Sequence, residues 1–300
     1  MANPYLKFNG KTVRVGSDGA RIISPFEPIP PYTLRVEFVN TPDCQSAGFD
    51  PTQGTGDESA PDWAYGTWRH VYGNVYDWTY QSDTWFVEYS NPRGIYYGSP
   101  WVLTRSVDYV YNTRFQTLAY RVVGANLTGV KYIPKLFRDS LKYLVSVALF
   151  DTSMIECAGA MFYPSNTHRP QYLKSLPDFD FSGIKHDAVP LGNTTSWAKG
   201  QVILGLMYFA SGSNYNGYGL TSIPNITLPA DTSVIVDNAF AGNKEVTGGA
   251  LNMYNKFIAA DWQGAHRNCF SNSGVNSTTG AAELAQIPTD WGGTYTPPSE

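Results

Sequence analysis

Hydrophobic positions along the chain follow two rhythms. Up to about residue 130 they alternate with polar ones, and from about residue 137 they recur over a longer distance. In the first region Leu6, Phe8, Val13, Val15, Ile22 and Ile23 alternate around Gly16-Ser17-Asp18-Gly19, which predicts a β-hairpin reversing at an Asp-Gly step. These glycines lack the Lys-Ser/Thr and following helix of a phosphate cradle. Pro25, Pro28, Pro30 and Pro31 come next and predict an extended hinge that contains Glu27. Residues 32–39 alternate again and predict a strand opening a second module. Residues 40–62, rich in Pro, Asp, Gly and Thr, predict a loop, and residues 75–80 read as a half-buried strand.

The longer rhythm is built from two phrases. One is Leu-x-x-Ile/Leu-Pro, seen at Leu173-Lys174-Ser175-Leu176-Pro177, Leu220-Thr221-Ser222-Ile223-Pro224 and Leu284-Ala285-Gln286-Ile287-Pro288. The other ends in Phe: Ala160-Met161-Phe162, Met207-Tyr208-Phe209, Asn238-Ala239-Phe240 and Asn268-Cys269-Phe270. The steps from Phe162 to Leu173, Phe209 to Leu220 and Phe240 to Leu251 are all 11 residues. Counted from Leu144, Leu173, Leu220, Leu251 and Leu284 the period is roughly 30 residues, stretched by an insertion within 183–200, and a period in that range marks a solenoid. Each pentad predicts a short extended segment ended by Pro, which withholds an N–H. Asp151-Thr152-Ser153 and Asp231-Thr232-Ser233 suit a turn or N-cap before an irregular or single-turn helical stretch. One such unit cannot bury its own apolar side, whereas stacked units can.

The run 144–153, then Ala160-Met161-Phe162 and residues 173–180, together with Leu136-Phe137-Arg138-Asp139-Ser140 before Leu144, resembles the BspA-like leucine-rich repeats. The resemblance covers about half the chain, and it departs from the family pattern in repeat length, at Leu251 and in the insert. Residues 32–39, 68–80 and 118–130 also follow the order in which such chains begin. The resemblance implies a mainly β fold with short helices, a leucine-rich-repeat solenoid preceded by a small β-rich attachment and capping region. The expected organisation is a hairpin attachment segment and hinge at 1–31, an aromatic-rich capping module at 32–120, the solenoid with its inserts at 121–291 and an irregular tail at 292–300. Such repeats occur in surface proteins of gut bacteria and in virion proteins of their phages, which implies adhesion or assembly, not catalysis.

Composition narrows the function classes. Charged residues make up 15% of the 300, against roughly 25% in average soluble proteins, while Tyr, Phe and Trp number 21, 15 and 8. The surface is therefore polar mainly through hydroxyls and amides. A net charge of -4 without Lys/Arg runs argues against nucleic acid as a partner. No run approaches the roughly 18 apolar residues of a membrane span, and no stretch of signal-peptide length opens the chain. That absence favours synthesis in a host cytoplasm with release at lysis over export. Three widely spaced cysteines, Cys44, Cys157 and Cys269, indicate no disulfide framework, and Cys269, beside a repeat Phe, reads as a small core residue.

Candidate chemistry is sparse. His70, His168, His186 and His266 occur singly, Asp57-Glu58 lacks the spaced ligands of a calcium loop, and no nucleophile elbow occurs, so no cofactor, metal or catalytic residue is expected. Two carboxylates meeting in a groove could still hydrolyse a sugar. Asn126, Asn193, Asn225 and Asn276 begin glycosylation sequons that matter only on a secretory route. Candidate binding residues are the aromatics of 63–111, in particular Trp63, Tyr65, Trp68, Tyr72, Tyr96, Tyr97 and Trp101, whose flat faces suit protein or sugar partners. Leu6, Phe8, Val13, Val15, Ile22 and Phe26 are the candidate attachment residues. The leading expectation is a non-enzymatic phage virion protein, a decoration, head-fibre or tail-associated component that is a homo-oligomer or present in many copies. Its expected partners are other virion proteins and a host-surface glycan or protein. A bacterial surface adhesin and a polysaccharide depolymerase are the alternatives.

Overall fold

The computed structural model describes residues 5–8, 11–15, 22–23, 27–38, 66–80, 87–91, 94–98, 119–130, 133, 137, 143–156, 158, 161–162, 172–186 and 219–296. Among these, strands dominate and helices are few and short. Tyr5–Phe8 (β1), Lys11–Val15 (β2) and Ile22–Ile23 (β3) form an antiparallel sheet in the order β1-β2-β3. The expected hairpin is the β2–β3 pair. A second reversal precedes it, and the residues between β1 and β2 are Asn9-Gly10, a dipeptide suited to a two-residue turn.

Thr33–Phe38 (β4), Gly66–Tyr72 (β5), Val75–Tyr80 (β6), Ala119–Asn126 (β9) and Ser146–Val147 (β10) form a five-stranded sheet in the order β10-β9-β4-β6-β5. It is mixed, because β10 runs parallel to β9 and the other pairs are antiparallel. Val87–Asn91 (β7) and Gly94–Gly98 (β8) pair as a separate hairpin. β9 spans the expected module boundary at residue 120 and joins β4 on one side and β10 on the other.

β4 differs from its expected pattern. Leu34, Val36 and Phe38 enter the apolar core as alternation requires, yet Thr33 and Arg35 on the opposite face are buried too. Asp77 on β6 is likewise fully buried. The physical reason is a strap: residues 27–31 lie across this second face instead of standing away from it, as described below.

The apolar core is one cluster running from Leu34 to Trp291. Leu144, Leu173 and Leu220 are fully buried, as are Phe137, Phe162, Phe240 and Phe270. The phenylalanines meet face to face: Phe137 stacks on Phe162 at 5.0 Å, Phe162 on Phe179 at 6.4 Å, Phe240 on Phe270 at 5.6 Å and Phe270 on Trp291 at 6.5 Å. Backbone hydrogen bonds join the same segments at constant offset, with Val236, Asn238, Phe240 and Gly242 donating to Ala265, Arg267, Cys269 and Ser271 at 2.7–3.0 Å. Asn238 and Asn268 occupy the left-handed region at φ 59° and 58°, which explains Asn at the head of both phrases, since its short polar side chain tolerates that conformation.

Two expected repeat segments are helical. Leu251, a departure from the repeat pattern already in the sequence, lies in helix Ala250–Ala259 (α1), and Leu284, where an extended pentad was expected, ends helix Thr278–Leu284 (α2). The reason is spacing, because Ala250, Met253 and Phe257 bury one face at helical intervals and no Pro follows Leu251 to end an extended run. α1 has no side-chain cap from its own Gly249. Instead Glu283 of α2 supplies one, Oε1 accepting from Gly249 N at 3.3 Å and Oε2 from Leu251 N at 3.1 Å. α2 begins conventionally, with Ser277 Oγ accepting from Gly280 N at 3.2 Å. After the 3-10 turn Thr289–Trp291, the start of the expected tail folds back, Thr294 N donating to Leu284 O and Tyr295 N to Ile287 O.

Candidate interaction surface

The Thr and Asn side chains that flank the buried leucines line up from segment to segment. Thr221 donates to Lys174 O through both N (2.8 Å) and Oγ1 (3.1 Å), and Thr247 repeats this on Thr221 O at 2.8 and 3.0 Å. Thr279 Oγ1 then donates to Thr247 O at 2.7 Å. All three threonines are exposed. A parallel row starts at Asp178, whose Oδ1 accepts from Asn225 N at 2.7 Å, and continues as Asn225 Oδ1 accepts from Asn252 Nδ2 at 3.0 Å. Each threonine proton is committed inward, so the lone pairs that remain on Thr221 and Thr247 are acceptors toward solvent, while Thr279 Oγ1 also pairs with Ser277 Oγ at 3.0 Å. The result is a regular, almost uncharged surface of hydroxyls and amides, with Lys174 and Asp178 at one end.

The turns behind these rows are held by Asp side chains. Asp151 Oδ1 accepts from Ser153 N and Oγ at 2.9 and 2.7 Å, and these bonds hold its carboxyl below the ordinary carboxylate range. Asp180 Oδ1 accepts from Ser182 N at 2.9 Å. At Asp231 burial acts to raise the pKa, but hydrogen bonds from Ser233 Oγ, His186 N and Ser233 N outweigh it and the net direction is down. These carboxylates serve turns. Thr152, buried, donates to Asp180 O at 2.6 Å and joins two of the turns. Inside, fully buried Asn243 accepts from Leu220 N and donates to Phe240 O, which Ser273 Oγ also reaches.

Of the sequence-predicted aromatics, Tyr72 and Trp68 sit on β5, the end strand in the sheet order, with Trp68 in register with Trp78. Tyr72 is half-buried. Tyr96 and Tyr97 lie on β8, opposite Tyr89 and Glu88. Trp63, Tyr65 and Trp101 lie outside the described residues, as does Asp57-Glu58. Leu6, Phe8, Val13, Val15 and Ile22 occupy β1 to β3, and Phe26 lies outside the described residues. The described members of this set thus lie on strands of two sheets, β5 in one and β8 in the other. Tyr172 (52% exposed), Leu149 (65%) and Met154 (68%) are apolar groups that do face solvent, none of them singled out by the sequence.

Cys269 is fully buried as expected, and burial raises its thiol well above the ordinary value, which leaves it unreactive. His266 stacks on Trp291 at 3.9 Å, its Nε2 3.6 Å from Asp290 Oδ2. Asn126, Asn225 and Asn276 of the sequons all spend their side chains on hydrogen bonds within the fold. Among the described residues no group of three His, Cys, Asp or Glu is placed to hold a metal, and no described helix is long and apolar enough to cross a membrane.

The threonine row was missed because the repeat leucine was placed at Leu251. Aligning Leu173, Leu220 and Val246 would have set Lys174, Thr221 and Thr247 in one column. Comparison with protein-family models, with curated proteins and with solved structures finds no match to the chain.

Proposed function

We propose that the segments from about residue 137 onward are successive turns of a leucine-rich-repeat solenoid, and that the chain is a non-enzymatic virion protein of a phage. Its N-terminal sheet attaches it to the particle, and the repeats present a polar face to a host-surface glycan, a host protein or a neighbouring virion protein. The observation that carries the repeat reading is the constant-offset backbone ladder with its stacked Phe240, Phe270 and Trp291. Such stacking leaves equivalent side chains in rows, and rows of Thr and Asn suit multipoint contacts to hydroxyl-rich or backbone surfaces. Many weak contacts of this kind gain strength when a particle carries many copies. The virion assignment rests on the resemblance of residues 137–180 to repeats found in such proteins.

The test is immunogold electron microscopy with antibody against the purified chain, applied to phage particles and to host cells. Gold on the particles supports the virion reading. Gold on uninfected cell surfaces instead establishes the bacterial adhesin, and gold on neither overturns both. A glycan array with Thr221→Val, Thr247→Val and Thr279→Val tests the face itself. Binding that survives the triple substitution removes the rows from the site.

A further inference from the structure

The proline-rich segment before β4 is a strap, and the sheet beneath it is built to receive it. One transverse row crosses four strands in register: Gly124 on β9, Arg35 on β4, Asp77 on β6 and Arg69 on β5. Arg35 grips Asp77 through two bonds, Nε to Oδ1 at 2.6 Å and Nη2 to Oδ2 at 2.9 Å, and both groups are buried. Its remaining Nη1 donates to Glu27 O at 2.9 Å. Arg69 bridges inside to outside, Nη2 donating to Asp77 Oδ2 and Nη1 to Glu27 Oε1, each at 2.7 Å.

The other half of the strap is held differently. A Cβ added at Gly124 would lie 2.7 Å from Ile29 Cδ1, so glycine there makes room for the isoleucine. Asn126 Nδ2 donates to Ile29 O at 2.8 Å. The strap then reverses into β4 at Tyr32, which adopts φ 56°, and Gly129 gives space to the Tyr32 hydroxyl in the same way.

We infer that residues 27–31 form an ionic clasp, closed by the Glu27–Arg69 pair, that sets how readily this strap lifts off the face of the five-stranded sheet. The two ion pairs differ in kind. Arg35 and Asp77 are sealed from water and unresponsive to salt, whereas Arg69 and Glu27 are 38% and 43% exposed and are screened by it. Opening the clasp leaves Asp77 still neutralised by Arg35, so the sheet survives while the strap is released. The clasp stands whether or not the chain is a virion protein.

The test uses the full chain with Ile29→Cys as a reporter and follows thiol alkylation of the peptide carrying residue 29 by mass spectrometry. Raising salt from about 20 mM to about 1 M is expected to speed labelling roughly two- to fivefold, the range of an exposed pair. Glu27→Gln and Arg69→Gln should each give the same acceleration at low salt and abolish the further response to salt. Asn126→Ala, which removes the bond to the carbonyl of residue 29 without touching a charge, should speed labelling yet keep the salt response. A salt response that persists undiminished in Glu27→Gln overturns the clasp, as does a labelling rate unchanged by that substitution. An unaltered thermal midpoint in Glu27→Gln, which leaves the bonds to Asp77 in place, separates strap release from unfolding.

Discussion

Replacing Phe270 by Ala probes the stacking of segments directly. The ring is fully buried between Phe240, parallel to within 12° at 5.6 Å, and Trp291, within 26° at 6.5 Å, with Phe257 tilted against it at 6.4 Å. Truncating such a side chain removes its transfer free energy and leaves a cavity, together about 3–5 kcal/mol. About 0.5–1.5 kcal/mol of that belongs to each ring pair beyond the area it buries. For a chain of this size the loss corresponds to a fall in melting temperature of roughly 6–20 °C. Phe270→Leu keeps most of the volume but none of the ring pairs, so its stability should fall between those of the native protein and Phe270→Ala. The assay is urea denaturation followed by far-UV circular dichroism and by tryptophan fluorescence, since Trp291 touches the mutated ring and Trp262 lies against Phe257. Coincident transitions would establish that the segments unfold as one unit. Combining Phe270→Ala with Phe240→Ala should recover a coupling of about 0.5–1.5 kcal/mol, because the second truncation removes a contact already lost. A loss below about 1 kcal/mol for Phe270→Ala, or strict additivity of the pair, would refute the stacked arrangement.

Other perturbations have equally definite outcomes. Asp77→Ala strands Arg35 without its buried partner and should cost about 3–5 kcal/mol, visible in the same denaturation curves, whereas Glu27→Ala at the exposed end should cost less than about 1 kcal/mol. Gly264→Ala would put a methyl carbon 1.8 Å from Val234 O, a backbone atom that cannot swing aside, so soluble expression should fall sharply while Gln263→Ala beside it is tolerated. Asp151 and Asp231 have folded pKa values below their unfolded ones, so their contribution is present above the ordinary carboxylate pKa and is lost as pH falls through the folded value. Melting temperature should therefore drop below about pH 4, and Asp151→Asn should flatten that acid limb; an identical limb in the variant would sink the assignment.

What could be read in the residues was what depends on neighbours in sequence. Alternation located β4 and β6, the Asp-x-Ser turns followed from side chains that bond two residues along, and the phrases ending at Phe162, Phe240 and Phe270 marked positions that are indeed buried. Helices α1 and α2 were misread because Leu251 and Leu284 kept the repeat distance, and distance was given more weight than the helical spacing of Ala250, Met253 and Phe257. The burial of Arg35 and Asp77 was illegible for a different reason. Each is an ordinary solvent-face residue of an alternating strand, and nothing local announces that a segment beginning at Glu27 will cover them. The threonine row is likewise a property of stacking, visible only once the offset between segments is known.

Energy alone does not account for the Arg35–Asp77 pair. Exchanging a buried ion pair for apolar groups of similar volume is often neutral or stabilising by about 1–4 kcal/mol, so the pair is a poor device for stability. It is a good one for register. Sliding β4 by one residue against β6 would turn Arg35 into the face occupied by Leu34, Val36 and Phe38, and would bring an apolar side chain against Asp77. Each charge would then be buried without its partner, which costs about 3–5 kcal/mol. Register fixed there does not stop at β6. β4 also pairs with β9, where irregularities after Arg35 and Glu37 loosen the ladder, and β9 sets Ser146 and Val147 of β10 opposite Arg121 and Val122. β10 thus takes its position from a strand whose own position depends on Arg35. An apolar replacement of both Arg35 and Asp77 should accordingly keep the chain folded while broadening the amide signals of β9 and β10 in NMR spectra. Sharp, single signals from that double variant would show that hydrophobic pattern alone holds the register.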